Sequence, residues 1–467
     1  MKTILGIIIA ICIASPAVAR DPGLTPQQQE MLAKGNRHDR NGWIYLHLEG
    51  APRERGFQYG YLLTPEIEEA VRLLARQWHY QSALEWSWFV DRAGEILAPK
   101  VDEENTAEID GMVEGMKAHG AVTSRNEIVA LNGYMELLWY WWPTVKDSMK
   151  THSTDYKKES CSSFIATGSM TRDGKIVLGH NSMVGYQDPA CNVILDIKPE
   201  HGHRILMQAF TGFIHSGTDF FVTDAGLVGS ETTIGGFFPF DPHGSPEFSR
   251  MRHATQYASS IDEWCDMMKK DNNGGYANAW LIGDINTNEI ARLELGLKYA
   301  GFEKKKDGYF TGSNVPEDLR ILRRETTSPD VDIRHSSIAR RVRWNRLMKE
   351  YEGKIDLAAA ESFESDHFDS YLNTVQPDGR TLCAHWDLDP QLNGPDTPFE
   401  PGGTIDGKVI DAAMAHQMSF VARWGSSCGT PFDAKKFLEE HPQFGWMEGL
   451  LKDRPAEPWT VFRAGER

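Results

Sequence analysis

The sequence contains no Asn-x-Ser/Thr triplet, no phosphate-binding glycine loop and only six cysteines in 467 residues. The first absence argues against a eukaryotic secreted or lysosomal protein, which at this length usually carries an acceptor site, and favours a bacterial one. The second removes the nucleotide-phosphate reading. Basic charge is short as well. Lys and Arg number 49 against 66 Asp and Glu, a net charge of −17, which argues against nucleic acid as a partner and gives no attraction to anionic membranes. His201, His203, His215, His243 and His253 are scattered without metal-ligand spacing, so neither a catalytic metal nor a cofactor is expected. No repeat or low-complexity tract stands out, and no apolar run after the first residues is long enough for a membrane helix.

What is present begins with an export signal. Lys2, the apolar run Ile4 to Ala14 and then Ala17-Val18-Ala19 predict a signal peptide over residues 1–19 and a secreted or periplasmic protein. Ile11 before Cys12 is unsuited to a lipoprotein site. Removing Lys2 takes the net charge from −17 to −18. Cys161, Cys191, Cys265, Cys383 and Cys428 remain, an odd set that leaves at least one thiol unpaired in an oxidising compartment. Two disulfides plus one free thiol is the simplest account. Cys383 with Cys428, and Cys191 with Cys265, are the expected pairs, although four cysteines allow three connectivities.

Residues 64–142 read as helices. Thr64-Pro65 starts one, with Ile67, Ala70, Val71, Leu74 and Trp78 on one face; Ser124 to Glu127 is a capping box ahead of Ile128, Leu131, Met135 and Leu138. The aromatics Trp78, Trp86, Trp88, Phe89 and Trp139–Trp142 read as core between helices, with an acyl-chain groove as the alternative. Residues 146–159 are polar and aperiodic, a linker. A short strand then starts at Cys161, turns at Arg172-Asp173-Gly174 and returns over Lys175–Gly179 to His180-Asn181-Ser182. Strands are expected over 192–197, 204–210 and 220–233. Hairpins are expected to turn near Asn286-Thr287-Asn288 and at Asp307-Gly308. Helices follow between Ser336 and Glu364, and a last strand set over 381–421. This order predicts two packed sheets with helices outside.

Cys161 at the head of a strand, directly after a linker, is the central feature. If the chain is cut between Ser160 and Cys161, the new terminus places an α-amine beside the thiol. Its pKa of roughly 7.7–8.0 lets it act as the thiol's general base. The same thiol can cut the chain by attacking the Ser160 carbonyl, shifting the acyl group from nitrogen to sulfur and letting water release the new terminus. Thr381-Leu382-Cys383-Ala384-His385 admits a Cys–His reading, but the hairpin context of Cys161 explains more.

Cys161-Ser162-Ser163-Phe164 with Arg172-Asp173-Gly174-Lys175-Ile176-Val177-Leu178-Gly179-His180-Asn181 resembles the nucleophile hairpin of the phospholipase B-like proteins and of the related isopenicillin N acyltransferase and choloylglycine hydrolase families. Ala130–Leu138, Gly274–Trp280, Ala339-Arg340-Arg341 and the tail from Gly403–Lys408 to Gly429–Phe432 are similar to the same proteins in the same order. The resemblance implies an α+β, four-layer α-β-β-α sandwich, the N-terminal-nucleophile hydrolase fold. It implies Cys161 as nucleophile, Asn278 as an oxyanion donor and His180 at a position where the phospholipase B-like proteins also carry histidine. Asn181, Arg340 and Arg341 are candidates for orienting the substrate. Met183 stands where the choloylglycine pattern has aspartate, which turns the reading away from bile-salt hydrolysis.

The chain therefore divides into a signal peptide (1–19), a helical N-terminal segment (20–145), a linker (146–160) and a catalytic domain (161–467). The expected activity is cleavage of acyl amide or ester bonds through a Cys161 thioester, on a small acylated substrate or lipid, with the two cut fragments staying associated. The alternatives are transfer of the acyl group to an amine, a non-catalytic exported binding protein of the same fold, and a papain-like protease.

Overall fold

The computed structural model describes residues 23–146, 161–392 and 397–466. The expected signal peptide, Ser160 and all of the expected linker except Lys146 lie outside the described residues.

The strands in chain order are β1 (Asn36–Arg40), β2 (Trp43–Gly50), β3 (Cys161–Thr167), β4 (Val177–Gly185), β5 (Val193–Pro199), β6 (Ile205–Ala209), β7 (Phe221–Thr223), β8 (Leu227–Thr233) and β9 (Asn278–Asp284). They continue with β10 (Glu289–Leu295), β11 (Ala300–Lys305), β12 (Gly308–Gly312), β13 (Phe368–Asp369), β14 (Thr374–Val375), β15 (Gly402–Asp411), β16 (Ser419–Trp424) and β17 (Thr460–Arg463). Nine form one sheet in the order β1-β2-β5-β6-β7-β8-β9-β10-β11, and six form another in the order β12-β3-β4-β15-β16-β17. The sheets face each other: Ser163 Oγ on β3 and Ser230 Oγ on β8 are 2.6 Å apart, and a Cβ at Gly283 on β9 would crowd the side-chain ends of Ile165 and Ile176.

Helices cover the outer faces. Helix Ser336–Glu350 lays the buried Trp344 on Phe164 of β3, ring centroids 5.3 Å apart, and helix Leu357–Glu364 adds Phe363 to the same cluster. On the nine-stranded sheet, helix Ile261–Lys269 sets Trp264 edge-on to Trp280 at 4.9 Å. The expected four-layer α-β-β-α arrangement is thus observed.

The helix starts follow the sequence signals in part. Ser124 accepts from Glu127 N, and Ser260 from Glu263 N. The reciprocal half of the Ser124 box is missing: Glu127 turns instead to Thr123 Oγ1 at 2.8 Å and Trp86 Nε1 at 3.2 Å. The aromatics are helix–helix core, with Trp78 and Trp142 5.0 Å apart and Trp78 and Trp88 stacked at 5.7 Å.

Three expectations are corrected. Residues 36–50 of the expected helical segment form a hairpin, because Asn41-Gly42 supplies two residues of positive φ (49° and 76°), the signature of a tight hairpin turn. Its second strand pairs in parallel with β5, Ile44 opposite Val193, so the segment before the linker is part of the sheet. The expected hairpin at Asp307-Gly308 instead carries the chain from one sheet to the other: β11 pairs with β10, and β12 pairs with β3, Gly312 opposite Ser163. The return strand β4 does not end in His180-Asn181-Ser182. It runs to Gly185 because β15 pairs along its whole length, Lys408 opposite His180. Among the described residues no helix is long and apolar enough to cross a membrane.

Candidate active site around Cys161

Strand alternation decides which side chains of the nucleophile hairpin enter the space between the sheets. On β3, Cys161 and Ser163 point inward, while Ser162 points out and accepts from Trp344 Nε1 at 2.9 Å. On β4, Ser182 turns inward and accepts from Lys408 Nζ at 2.7 Å. Asn181 turns to the outer side. It donates to Glu364 O (2.7 Å) and Leu382 O (2.9 Å) and accepts from Ser427 Oγ at 2.5 Å.

Cys161 is 2% exposed. Its Sγ lies 3.3 Å from Glu231 Oε1, and donor atoms of Cys161, His180 and Glu231 all lie within 4.8 Å of one another. Glu231 Oε1 also accepts from Tyr276 OH at 3.0 Å, and Tyr276 OH is 3.0 Å from Gly217 O. Burial, with Glu231 and Asp219 adding to it, pushes the thiol well above its usual range. Burial, then Asp219, raises Glu231 well above the carboxylate range, and burial pushes Asp219 up to about 8. Burial, then Lys408, holds His180 well below the usual imidazole range. The cluster is therefore a thiol, neutral carboxyls and a neutral imidazole at neutral pH.

Lys408 is fully buried and is tied to Ser182, Gln208 Oε1 (2.7 Å) and Asp406. Arg340 holds the backbone at Cys161: Nη1 donates to Cys161 O at 2.5 Å, and Nη2 to Asn314 Oδ1 at 2.8 Å. Asn278 begins β9 opposite Thr233, two residues beyond Glu231 on β8. Both polar atoms of its amide are buried without a hydrogen-bond partner among the described residues, a costly arrangement unless the amide is kept for something else.

Of the residues singled out from sequence, the structure gathers Cys161 and His180, sets Arg340 on the Cys161 backbone, and leaves Asn278 with an unspent amide on the neighbouring strand. Two candidates are corrected. Asn181 faces the outer helical layer, because it is one residue out of phase with His180. Arg341 pairs on the surface with Glu317, because helical geometry turns it away from Arg340.

Glu231, Tyr276, Asp219 and Lys408 were not singled out. Tyr276 and Lys408 stand inside segments that carried the resemblance. Glu231 and Asp219 left no local signal, since only the packing of β8 and the turn before β7 brings them to the thiol. The expected disulfides are also corrected. All five cysteines of the described residues are free thiols. Cys191 Sγ sits 3.3 Å from Asp406, while Cys265 belongs to the outer helix Ile261–Lys269. Cys383 and Cys428 are neighbours that share His385. A surface cavity of about 520 Å³ beside Leu73, Tyr186 and Arg454 includes none of the Cys161 cluster.

Comparison with known proteins gives the kinship. The family model for phospholipase B matches residues 103–297, a span that takes in Cys161, His180, Asp219, Glu231 and Asn278. An uncharacterized protein of Archaeoglobus fulgidus is 23% identical over 259 residues, 52% of this chain and 42% of its own. Phospholipase B of Crotalus adamanteus is 26% identical over 249 residues, 47% of this chain and 42% of its own. The putative phospholipase B-like 2 of Bos taurus is 36% identical over 89 residues, 18% of this chain and 15% of its own. The matches thus span less than half the length of these relatives. Among solved structures, a mutant of the conjugated bile acid hydrolase from Clostridium perfringens aligns at 11% identity and a TM-score of 0.32, over 56% of this chain and 89% of that one; a likeness so loose carries no argument. The family model and the run of relatives thus make the chain similar to phospholipase B and phospholipase B-like proteins over about half of its length.

Proposed function

We propose that the chain is an exported acyl hydrolase activated by its own cleavage between Ser160 and Cys161. The observation that carries this reading is the absence of a suitable base around Cys161 among the described residues. An imidazolium at His180 would be desolvated and repelled by Lys408, and Glu231 is held protonated. An α-amine at Cys161, released by the cut, supplies the missing base at the right atom. It also gives the buried carboxyls of Glu231 and Asp219 a cation to pair with.

In the cut enzyme the thiol proton passes to the α-amine and sulfur attacks the acyl carbonyl. The Asn278 amide and backbone N–H groups donate to the oxyanion. Collapse breaks the ester or amide bond, the leaving group takes the proton back, and a thioester remains. Water, deprotonated by the same amine, hydrolyses it. The family name makes phospholipid esters the first substrates to test, with N-acyl amides second.

The test is intact mass and N-terminal sequencing of purified wild type beside Cys161→Ala, followed by acyl release from both substrate classes. The expected result is two fragments, the second beginning at Cys161, with the variant whole and inactive. A wild type that stays whole yet hydrolyses substrate would sink the amine-as-base mechanism.

A further inference from the structure

A second cysteine–histidine cluster lies on the outer side of the six-stranded sheet, unconnected with the nucleophile. His367, Cys383, His385 and Cys428 bring their donor atoms within 4.8 Å of one another. His385 Nε2 is 3.4 Å from Cys428 Sγ and 3.7 Å from Cys383 Sγ. In a tetrahedral zinc site, with Zn–S about 2.3 Å and Zn–N about 2.0 Å, adjacent sulfur and nitrogen ligands stand about 3.5 Å apart. The two measured edges bracket that length. His367 closes the set: its ring lies edge-on to His385 with centroids 5.1 Å apart, and its Nε2 is buried without a hydrogen-bond partner among the described residues.

The surrounding chain holds these four residues in place by other bonds. Cys383 N donates to Asp366 O at 3.0 Å, His385 N to Asp378 O at 2.9 Å and Thr404 N to Ala384 O at 2.8 Å. Arg343 grips Asp366 through two bonds of 2.8 and 2.6 Å, and Ser365 Oγ donates to Ser427 O at 2.9 Å. The sulfurs also have donors suited to thiolates: Thr430 N lies 3.4 Å from Cys428 Sγ, and Ser426 Oγ lies 3.0 and 3.3 Å from Cys428 and Cys383. Asp387 Oδ1, 3.8 Å from His385 Nδ1, stands on the far side of that ring, where carboxylates orient metal-bound histidines.

We propose that His367, Cys383, His385 and Cys428 form a structural zinc site that clamps the loop 365–389 to the end of β16. Two thiolates and two neutral imidazoles make a closed tetrahedral set whose charge balances Zn²⁺, and binding releases the two thiol protons. No ligand position is left open, which fits a structural rather than a catalytic ion. A disulfide between Cys383 and Cys428 is the competing use of the same sulfurs.

The full chain is purified without chelator, and zinc is measured by mass spectrometry together with the state of the thiols. One zinc per chain is expected, with Cys383 and Cys428 reduced and alkylated only after chelation. His367→Ala, which keeps both sulfurs, should weaken zinc binding at least tenfold, and Cys161→Ala should leave it unchanged. Should His367→Ala fail to fold, Co²⁺ titration of the reduced wild type stands in, with thiolate charge-transfer and tetrahedral d–d bands expected. Two thiols joined as a disulfide in the purified chain, or a reduced chain that takes up neither zinc nor cobalt, overturns the proposal.

Discussion

The Cys161 thiol donates across 3.3 Å to Glu231 Oε1, so the thiol rests against a carboxyl that burial keeps neutral. Glu231→Gln copies that neutral acceptor and should leave the precursor folded, with a melting temperature within a few degrees of wild type. It cannot become the carboxylate that pairs with a released α-ammonium. Activity of the cut enzyme should therefore fall about 100-fold or more, the lower end of what one positioned acid–base group contributes. Acyl release by matched amounts of cut protein checks this; unchanged turnover would remove Glu231 from the site.

Asp219 gives a pH signature. Its carboxyl is raised from 3.8 to about 8, so between those values the folded chain holds a proton that the unfolded chain has lost. Stability from this group is complete below the lower value and falls as pH rises, by about 1.4 kcal/mol per pH unit within the window. Asp219→Asn removes that slope. Urea unfolding at pH 5 and pH 8 should show the variant gaining on wild type at the higher pH; parallel behaviour would mean that Asp219 is ionised in the fold.

Arg340 and Arg341 separate position from sequence. Losing Arg340 frees Cys161 O and Asn314 and should cost about 3 kcal/mol, as charge-assisted buried hydrogen bonds do, along with most of the cleavage at Cys161. Arg341→Ala removes a partly exposed pair with Glu317 and should stay within about 0.5 kcal/mol of wild type, with normal cleavage. Denaturation curves and fragment ratios for the two variants decide it.

The unspent amide of Asn278 predicts a rate effect without a fold effect. Asn278→Ala breaks no observed side-chain hydrogen bond and should lower kcat about 10²- to 10³-fold with KM little changed. Asn181→Ala is the counterpart. It loses bonds to Glu364, Leu382 and Ser427 and should lower stability first. Steady-state kinetics beside thermal melts distinguishes the two; equal kinetic losses would contradict the assignment of faces.

Much of the frame is carried by short-range pattern. Helical periodicity over 64–142, the serine caps at Ser124 and Ser260, and the strand beginning at Cys161 are local consequences of side-chain spacing and turn chemistry. So is the Asn41-Gly42 hairpin, whose signal stood in the sequence unused. The segment order that carried the resemblance also held Tyr276 and Lys408, although nothing local marks them as partners of Cys161.

Pairing across the molecule is another matter. Whether β11 and β12 form a hairpin or part into two sheets depends on β12 finding a better neighbour in β3, which is remote in sequence. Whether Asn181 or His180 faces Cys161 is set by strand phase, and a one-residue step turns a side chain from the inter-sheet space to the outer helices. The protonation of Glu231, Asp219 and His180 exists only once water is excluded from around them. Sequence by itself determined the place of Cys161 at a strand head, the layered α+β order and the likeness to phospholipase B-like proteins. Tertiary structure alone decided which carboxyls, arginine and amide meet that thiol, and which two cysteines and two histidines meet each other, because burial and contact between distant segments are properties of the packed chain.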